Sequence, residues 1–172
     1  MTAGPLVSAA WLAERLDDPA LQVVDATWFM PGDPRSGATA FPEAHISGAV
    51  FCDIDALSDH ATDLPHMLPS PEAFAADAGA LGLRRDATVV VYDGQGIFSA
   101  PRVWWTLRVM GFPEVRVLDG GLKAWQVQER PMEAGDVTPA PTVLAPAFDA
   151  TLGRDRAAVR GTLATGKTQL VD

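Results

Sequence analysis

The sequence predicts an α/β fold in which helices cover both faces of a central parallel sheet. Segments rich in β-branched residues alternate with segments whose apolar residues recur at helical spacing, which is typical of a parallel sheet with helical crossovers. Thr88–Tyr92 is an uninterrupted β-branched and aromatic run, as expected for a strand buried on both faces. The chain has 172 residues, of which 48% are hydrophobic, and this is enough for about one domain with a sizeable core.

The first half of the chain contains one helix and two strands by these criteria. Ser8 can cap a short helix over residues 9–16, where apolar residues recur at helical spacing. Leu21–Asp25 and Ala49–Phe51 are β-rich and predict strands. A loop rich in proline and glycine, residues 31–37, separates them.

The second half continues the alternation. Ser70 followed by Pro71 predicts the start of a helix that runs to about Leu81. After the buried strand, Ser99 can cap a helix that ends at Gly111, because glycine most easily supplies a left-handed C-terminal cap. Two further elements follow, a strand at Val115–Leu118 and a helix at residues 122–128.

The character of the sequence changes after Arg130. We interpret residues 6–130 as one domain and residues 131–153, in which prolines fall among small and polar residues, as a linker. The last four residues, QLVD, resemble QVVD at residues 22–25 and predict a strand, and each follows a possible helix, residues 9–16 in the first case and 157–163 in the second. Residues 154–172 therefore resemble the first elements of a second copy of the domain.

The charge is acidic and unevenly distributed. There are 13 Lys and Arg against 22 Asp and Glu, which gives a net charge of −9 and a pI near 4.6. Residues 1–83 hold 2 bases and 12 acids (net −10), and residues 84–172 hold 11 bases and 10 acids (net +1). This balance disfavours nucleic-acid binding, which needs a basic face. An anionic substrate would have to meet later arginines, backbone amides or groups outside this chain.

The compartment is predicted from the cysteine count and the first residues. A single cysteine excludes an internal disulfide and a zinc site with several thiolates. The first five residues lack the basic and apolar regions of a signal peptide, and no apolar run approaches the roughly 20 residues that span a bilayer. We therefore expect a cytoplasmic protein without a membrane segment.

The loop after the buried strand, residues 93–98 (DGQGIF), is the first candidate for chemistry. Open α/β sheets hold ligands at the carboxyl ends of their strands, and two glycines allow backbone amides to turn inward beside a helix N-terminus. A thiolate at position 93 would have a lowered pKa there and could carry sulfur. Position 93 is an aspartate, which is a poor nucleophile toward sulfur, so the loop has the shape of a persulfide loop without the reactive group.

Other nucleophiles are weaker candidates. Cys52 has acidic neighbours and no nearby Lys or Arg, which favours a packing role. No cysteine is followed by five residues and then arginine, which is the spacing of cysteine-dependent phosphatases. Asp53 and Asp55 follow an apolar strand as in haloacid-dehalogenase-type phosphatases, which use magnesium. The glycine and threonine of that motif are missing, so capping and turn roles are favoured.

The histidines and aromatic residues leave alternatives open. His45 precedes a predicted strand and is either a structural hydrogen-bonding group or a proton shuttle. His60 and His66 lack metal-ligand spacing and receive no role. Trp28 and Phe98 fall on loops at strand ends, where they could line a cleft. Core packing is favoured for the helical tryptophans, Trp104, Trp105 and Trp125.

Taken together, these segments resemble the rhodanese family, and most closely the amino-terminal domain of two-domain 3-mercaptopyruvate and thiosulfate sulfurtransferases. The resemblance covers residues 6–172. It is carried in order by residues 22–26 (QVVDA), 45–51 (HISGAVF), 53–55 (DID), 66–69 (HMLP), 91–93 (VYD), 99–105 (SAPRVWW) and 119–122 (DGGL), followed by Trp125. Ser47 stands where the family commonly has proline, and Cys52 where it has an aromatic residue.

The resemblance implies that no residue of this chain binds the sulfur atom that is transferred in the reaction. Asp93 occupies the position equivalent to the cysteine, and the persulfide-forming cysteine would belong to a second domain that packs against this one. The first domain would close the substrate cleft with His45, an acidic residue upstream of it that is best matched by Asp33, and aromatic residues such as Trp28 and Phe98.

The implied reaction is transfer of a sulfane sulfur without a metal or organic cofactor. A small anionic donor, 3-mercaptopyruvate or thiosulfate, would load a cysteine thiolate, and cyanide or a thiol acceptor such as thioredoxin would receive the sulfur. The alternative is a stand-alone inactive rhodanese-like domain used for binding or regulation. In the first case we expect apolar surface where the second domain docks, and hence self-association of this chain.

Overall fold

A five-stranded parallel sheet forms the centre of the protein in the computed structural model, which describes residues 4–166 and 168–169. Its strand order is β1-β6-β5-β2-β4, and β3 and β7 form a separate antiparallel pair. The strands are β1 (Leu6–Val7), β2 (Leu21–Asp25), β3 (His45–Ile46), β4 (Ala49–Phe51), β5 (Thr88–Tyr92), β6 (Val115–Leu118) and β7 (Met132–Glu133). The helices are α1 (Ala9–Ala13), α2 (Gly37–Ala40), α3 (Pro71–Ala80), α4 (Ala100–Val109), α5 (Gly121–Val127) and α6 (Arg156–Thr165).

The central strand is β5, and its side chains define two cores. Val89 and Val91 contribute to the core that contains Val24 of β2, together with buried residues of α3 and α4. Val90 and Tyr92 contribute to the opposite core with residues of α1 and α5. Because β5 is buried on both faces, the predicted α/β fold with helices on both sides of a parallel sheet is confirmed.

The register of β2 and β5 brings two loops together. Asp25 pairs with Tyr92 at the end of the ladder, and the Ala26 amide donates to the Tyr92 carbonyl at 2.8 Å. The residues that follow, including Asp93, therefore lie at one edge of the sheet, where ligands bind in such folds.

The predicted boundaries hold for the long strands and differ for short elements. Ser8 caps α1 through its hydroxyl, but the helix ends at Ala13 rather than at residue 16. α2 begins after Ser36 in a reciprocal capping box with Thr39, at the end of the segment predicted as loop (residues 31–37), and no helix was predicted there. The two-residue strands β1, β3 and β7 are too short to show a periodic pattern.

The segment predicted as a linker is packed against the domain. After β7, Thr142 donates through its amide to Gly79 and through its hydroxyl to Leu83, and Leu144 packs on the core. A Cβ atom at Gly79 would lie 2.6 Å from the Thr142 carbonyl oxygen, so this helix position needs glycine. We call residues 134–153 the strap, because the segment crosses α3 and the end of α4 instead of connecting freely.

The chain then forms α6, which begins after the N-cap Asp155 and has no buried residue. This agrees with a helix near residues 157–163, whereas the predicted strand at residues 169–172 lies almost wholly outside the described residues. In the part of the chain that the structure covers, no helix is long and apolar enough to cross a membrane.

Candidate functional site

The loop after β5 is organised around the carboxylate of Asp93. Oδ1 accepts the amides of Gln95 (2.9 Å) and Gly96 (2.7 Å). Oδ2 accepts the amides of Phe98 (2.6 Å), Ser99 (2.9 Å) and Ala100 (2.9 Å). The residue has no exposed surface. The anion-binding arrangement of inward-facing amides is therefore present, and the chain's own carboxylate fills it.

The start of α4 differs from the prediction for this reason. Ser99 holds the N-cap position, but its hydroxyl makes no capping bond and donates instead to the Ala26 carbonyl at 2.6 Å. Asp93 caps the helix in its place, because its Oδ2 already accepts the Ser99 and Ala100 amides. The Ser99 hydroxyl consequently ties the loop to the end of β2.

The backbone of this loop and of the segment packed against it is also constrained. Ile97 has a φ of 63°, which is costly for a β-branched residue. Gly121, at the start of α5, also has a positive φ, and a Cβ atom there would lie 2.5 Å from the Asp93 carbonyl oxygen. That same oxygen accepts the Leu122 amide at 2.9 Å. These contacts hold the amides in position around the carboxylate.

A second buried carboxylate, Asp25, lies at the adjacent strand end. Its Oδ1 accepts the Thr27 amide at 2.8 Å, and the Thr27 hydroxyl accepts the Gly94 amide at 2.9 Å. Burial raises the pKa of Asp25 above its usual value, opposed by hydrogen bonds from Thr27 and Tyr92, and the charge of Asp93 adds to the rise. The two loops are therefore joined through Thr27.

Cys52 is not a nucleophile in this structure. Its side chain is buried, and its amide donates to the Asp25 carbonyl at 2.8 Å. Burial raises the pKa of the thiol to about 12, and the charges of Asp53, Asp25 and Asp77 act in the same direction. The thiol therefore stays protonated and inaccessible near neutral pH, as a packing role predicts.

Trp28 and Phe98 lie together at the edge of the sheet, with ring centroids 6.3 Å apart and planes at 24°. Trp28 Nε1 donates to Asp55 Oδ2 at 2.9 Å, and His66 Nε2 lies 2.8 Å from Asp55 Oδ1. The His66 ring meets the indole edge-on at 5.0 Å. We call these four residues the cleft cluster.

Sequence reasoning missed Asp55 and His66 as site residues. Their separations along the chain, 27 and 11 residues in the two hydrogen bonds, match no motif spacing. Asp53 and Asp55 are joined by a turn in which Asp53 Oδ1 accepts the Asp55 amide at 2.9 Å, in agreement with the turn roles predicted for them. The described residues contain no group of three or more side chains suited to a metal ion.

The structure does not bring His45 or Asp33 into contact with the cleft cluster. His45 is 1% exposed; its ring stacks on Phe41 at 3.9 Å, and Nδ1 donates to the Phe41 carbonyl at 2.8 Å. Asp33 forms an exposed two-point ion pair with Arg35, whose hydrogen bonds lower the pKa of Asp33 to about 2. The cleft roles implied for these two residues stay predictions.

The tryptophans of α4 and α5 divide between the core and a surface groove. Trp125 is fully buried, and Trp104 packs against the core, as predicted. Trp105 instead lines a cavity of about 550 Å³ between α4, the strap and α6, and His66 lines the same cavity. Arg102 also lines this cavity, which therefore adjoins the cleft cluster.

Comparisons with known proteins agree with this architecture. The family model of the rhodanese-like domain matches residues 8–128. The chain is 49% identical over 132 residues to the 3-mercaptopyruvate sulfurtransferase of Escherichia coli K12, covering 76% of this chain and 47% of that protein. It is 42% identical over 173 residues to the human 3-mercaptopyruvate sulfurtransferase, covering 97% of this chain and 58% of that protein.

The solved structures give the same result. The crystal structure of the 3-mercaptopyruvate sulfotransferase SseA from Escherichia coli superposes with a TM-score of 0.91 at 41% identity, covering 97% of this chain and 64% of that chain. The chain spans about half the length of the two curated relatives. The resemblance seen in the sequence motifs is confirmed, and the chain belongs to the rhodanese-like domain family.

Proposed function

We propose that this chain is the non-catalytic domain of a two-domain sulfurtransferase whose persulfide-forming cysteine belongs to a following domain. The main observation behind the proposal is that the Asp93 carboxylate occupies the anion-binding position of the loop after β5. Five amides that could stabilise a persulfide anion are already bonded to Asp93, which has no exposed surface. The chain's one thiol, Cys52, is buried and remains protonated. The sulfur-carrying group therefore has to come from elsewhere.

The relatives support this division of labour. Those reported above are named as 3-mercaptopyruvate sulfurtransferases, and this chain accounts for about half of each. We infer that the remaining half corresponds to the second repeat that begins at residues 154–172. Its partner surface on this domain would be the cleft cluster and the exposed apolar side chains that lie close to it in the sequence, Met30, Leu64, Met67 and Ile97.

The proposed substrates are a small anionic sulfur donor and a thiol or cyanide acceptor. With 3-mercaptopyruvate, the cysteine thiolate forms an S–S bond to the donor sulfur while the sulfur–carbon bond breaks. The leaving carbon takes the electron pair and the proton that the donor thiol gives up, which yields pyruvate and the persulfide anion. With thiosulfate, sulfite leaves and no proton is transferred.

His66 is the residue of this domain best placed to carry that proton. Its Nε2 is held by Asp55 in a histidine–carboxylate pair, an arrangement that fixes the ring orientation of a general acid or base. The ring is partly exposed and meets the Trp28 indole, which in turn stacks with Phe98. Within the described residues, the hydrogen bond to Asp55 is its one side-chain bond, so Nδ1 is available to a substrate.

A sulfur-transfer assay tests the proposal. We expect the 172-residue chain to form no thiocyanate from cyanide with either donor, and a longer polypeptide that includes the following domain to form it. Mass spectrometry should find no persulfide on the short chain after exposure to a donor. A persulfide on Cys52 with matching turnover would refute the proposal, as would an inactive longer polypeptide that folds.

A matched pair of histidine variants tests the role of His66. In the longer protein, His66→Gln should lower kcat with 3-mercaptopyruvate by roughly 10²-fold or more, because general acid–base catalysis contributes about that much. His60→Gln alters the same loop, where the His60 ring has one hydrogen bond among the described residues, to the Ala56 carbonyl at 3.2 Å. Equal loss in both variants would exclude a specific role for His66.

The cytoplasmic location predicted from the sequence stays a prediction. One similar protein, from Arabidopsis thaliana, is named as a mitochondrial thiosulfate/3-mercaptopyruvate sulfurtransferase; it is 50% identical over 133 residues, which cover 77% of this chain and 35% of that protein. Cell fractionation of the longer polypeptide would decide the compartment.

A further inference from the structure

Arg102, on the first turn of α4, is a partly buried charged side chain whose presence is not explained by core packing alone. Its guanidinium is half-buried, and this burial lowers the pKa of the side chain. Within the described residues it forms no ion pair with a carboxylate, although the chain has a net charge of −9. A partly buried cation without a carboxylate partner is costly unless hydrogen bonds and other contacts offset its loss of solvation, so the contacts that Arg102 makes need to be identified.

Two contacts show what Arg102 positions. Its Nη2 donates to the main-chain carbonyl of His66, and its guanidinium lies over the Trp105 ring at 4.8 Å from the centroid. His66 has a φ of 55°, a left-handed conformation that non-glycine residues rarely adopt. A backbone held there needs support from its surroundings, and Arg102 supplies a bond at the strained residue itself.

Trp105 extends this link to the strap. Its Nε1 donates to the Leu152 carbonyl at 3.0 Å, close to the N-cap Asp155 of α6. His66, Arg102 and Trp105 thus form a continuous set of contacts between the cleft cluster and the end of the strap. The same three residues line the 550 Å³ cavity, together with Arg154 and Asp155.

We propose that Arg102 is a positioning residue for the His66–Asp55 pair, and that through Trp105 it makes the placement of that pair depend on how the strap is seated. The inference rests on the proposed function, in which His66 faces the donor. Arg102 acts through the His66 main chain and has no contact of its own with the reacting atoms. The guanidinium suits this task because its planar face stacks on an indole while its edge donates hydrogen bonds.

Nuclear magnetic resonance of the 172-residue chain tests the positioning without any turnover. Arg102→Met keeps the aliphatic stem and removes the donors. We expect it to shift the His66 ring signals and the Trp28 indole N–H signal, and to speed exchange of that N–H with solvent by about threefold or more. Arg102→Lys should restore part of each effect, because one ammonium cannot stack and donate in the same geometry.

Arg108→Met is the matched control, since Arg108 lies on the same helix and donates to the Pro113 carbonyl at 2.9 Å, away from His66. It should leave both signals unchanged. The proposal is overturned if Arg102→Met leaves the His66 and Trp28 signals in place, or if Arg108→Met moves them equally. If Arg102→Met does not fold, Arg102→Lys carries the test: wild-type signals in that folded variant would also overturn the proposal.

Activity of the longer protein provides a second, separable test. Arg102→Met and His66→Gln should not be additive: the double variant should lose no more kcat than His66→Gln alone, because both act through one imidazole. Additive losses would overturn the positioning role. If the wild-type longer protein transfers no sulfur, the proposed function fails, while the resonance measurements still decide whether Arg102 holds His66.

Discussion

Replacing Asp93 by asparagine should destabilise the domain strongly although the two side chains have the same shape. In the native loop both carboxylate oxygens are occupied, Oδ1 by two amides and Oδ2 by three. Asparagine offers one oxygen and one amino group. If its oxygen faces the amides of Phe98, Ser99 and Ala100, its amino group must face the amides of Gln95 and Gly96, which then have no acceptor.

The magnitude follows from those two amides. A buried donor left without a partner costs about 1–3 kcal/mol, so two cost about 2–6 kcal/mol, and the three remaining bonds lose their charge assistance. Domains of this size are stable by only about 5–15 kcal/mol. Asp93→Asn should therefore lower the free energy of unfolding by at least about 2 kcal/mol, a large fraction of the total stability.

Urea unfolding followed by tryptophan fluorescence at pH 7 measures the effect. The matched control is Asp86→Asn, because the Asp86 side chain is 83% exposed and lies 3.8 Å from Arg84; it should change the free energy of unfolding by less than about 0.5 kcal/mol. If Asp93→Asn were as stable as the wild type, the idea that this carboxylate organises the loop would be wrong. Partial recovery of Asp93→Ala stability in added acetate would support it further.

Three further outcomes are expected. Cys52 should not react with a thiol reagent at pH 8 in the folded chain, since its pKa is raised to about 12, but should react fully in urea; rapid native reaction would contradict its burial. Gly79→Ala should lower the free energy of unfolding by about 1–3 kcal/mol through the clash with the strap at Thr142, whereas Gly161→Ala, on an open face of α6, should be neutral or slightly stabilising. Asp25→Asn should stabilise the chain at pH 7: burial raises the folded pKa above its unfolded value, so the native state binds the proton more tightly and the ionised form is disfavoured. That gain should shrink as the pH falls through the raised pKa toward 3.8, and urea titrations at pH 7 and pH 4 would show it.

The sheet was predictable from the sequence because the residues of its central strand, β5, fit neither a helix nor a loop. Thr88–Tyr92 has no helical periodicity and too many β-branched residues for a loop, and its observed bounds match those predicted. β3 and β7, by contrast, contain two residues each, and they pair across 88 residues (His45 with Glu133) and 86 residues (Ile46 with Met132). Such a pairing exists because the chain returns across the domain after α5, and a local pattern cannot predict that return.

The packing of the strap could not be predicted from the sequence because its hydrogen bonds are not repetitive. Prolines and small residues without periodicity are typical of a linker, and that reasoning is sound for a free chain. Here the partners are fixed groups on the domain: the Gly79 and Leu83 carbonyls bond to Thr142, and Arg85 donates to the Ala145 carbonyl at 2.7 Å. One signal in the sequence is Gly79 within the last turn of α3, and it becomes informative only when another segment is known to pass over it.

The cleft cluster, too, could be predicted from the sequence only in part. Trp28 and Phe98 could be placed near a cleft because strand ends meet at one edge of a parallel sheet. The Asp55–His66 pair could not, because it depends on the backbone of His66, whose positive φ turns the ring toward Asp55 and Trp28. The sequence instead drew attention to His45, whose ring is buried against Phe41.

The two buried aspartates at the sheet edge explain why residue type alone does not define a role here. Asp25 ends β2 and Asp93 follows β5, and these two strands are neighbours in the sheet. Both residues are buried, and each could be interpreted as an acid at a strand end. Their hydrogen bonds separate them: Asp93 receives five amides, whereas burial dominates at Asp25 and raises its pKa. Asparagine should therefore destabilise the chain at one position and stabilise it at the other. Opposite signs for this pair would show that the amides around Asp93 form a fixed anion site, and equal signs would show that burial alone sets the behaviour of both.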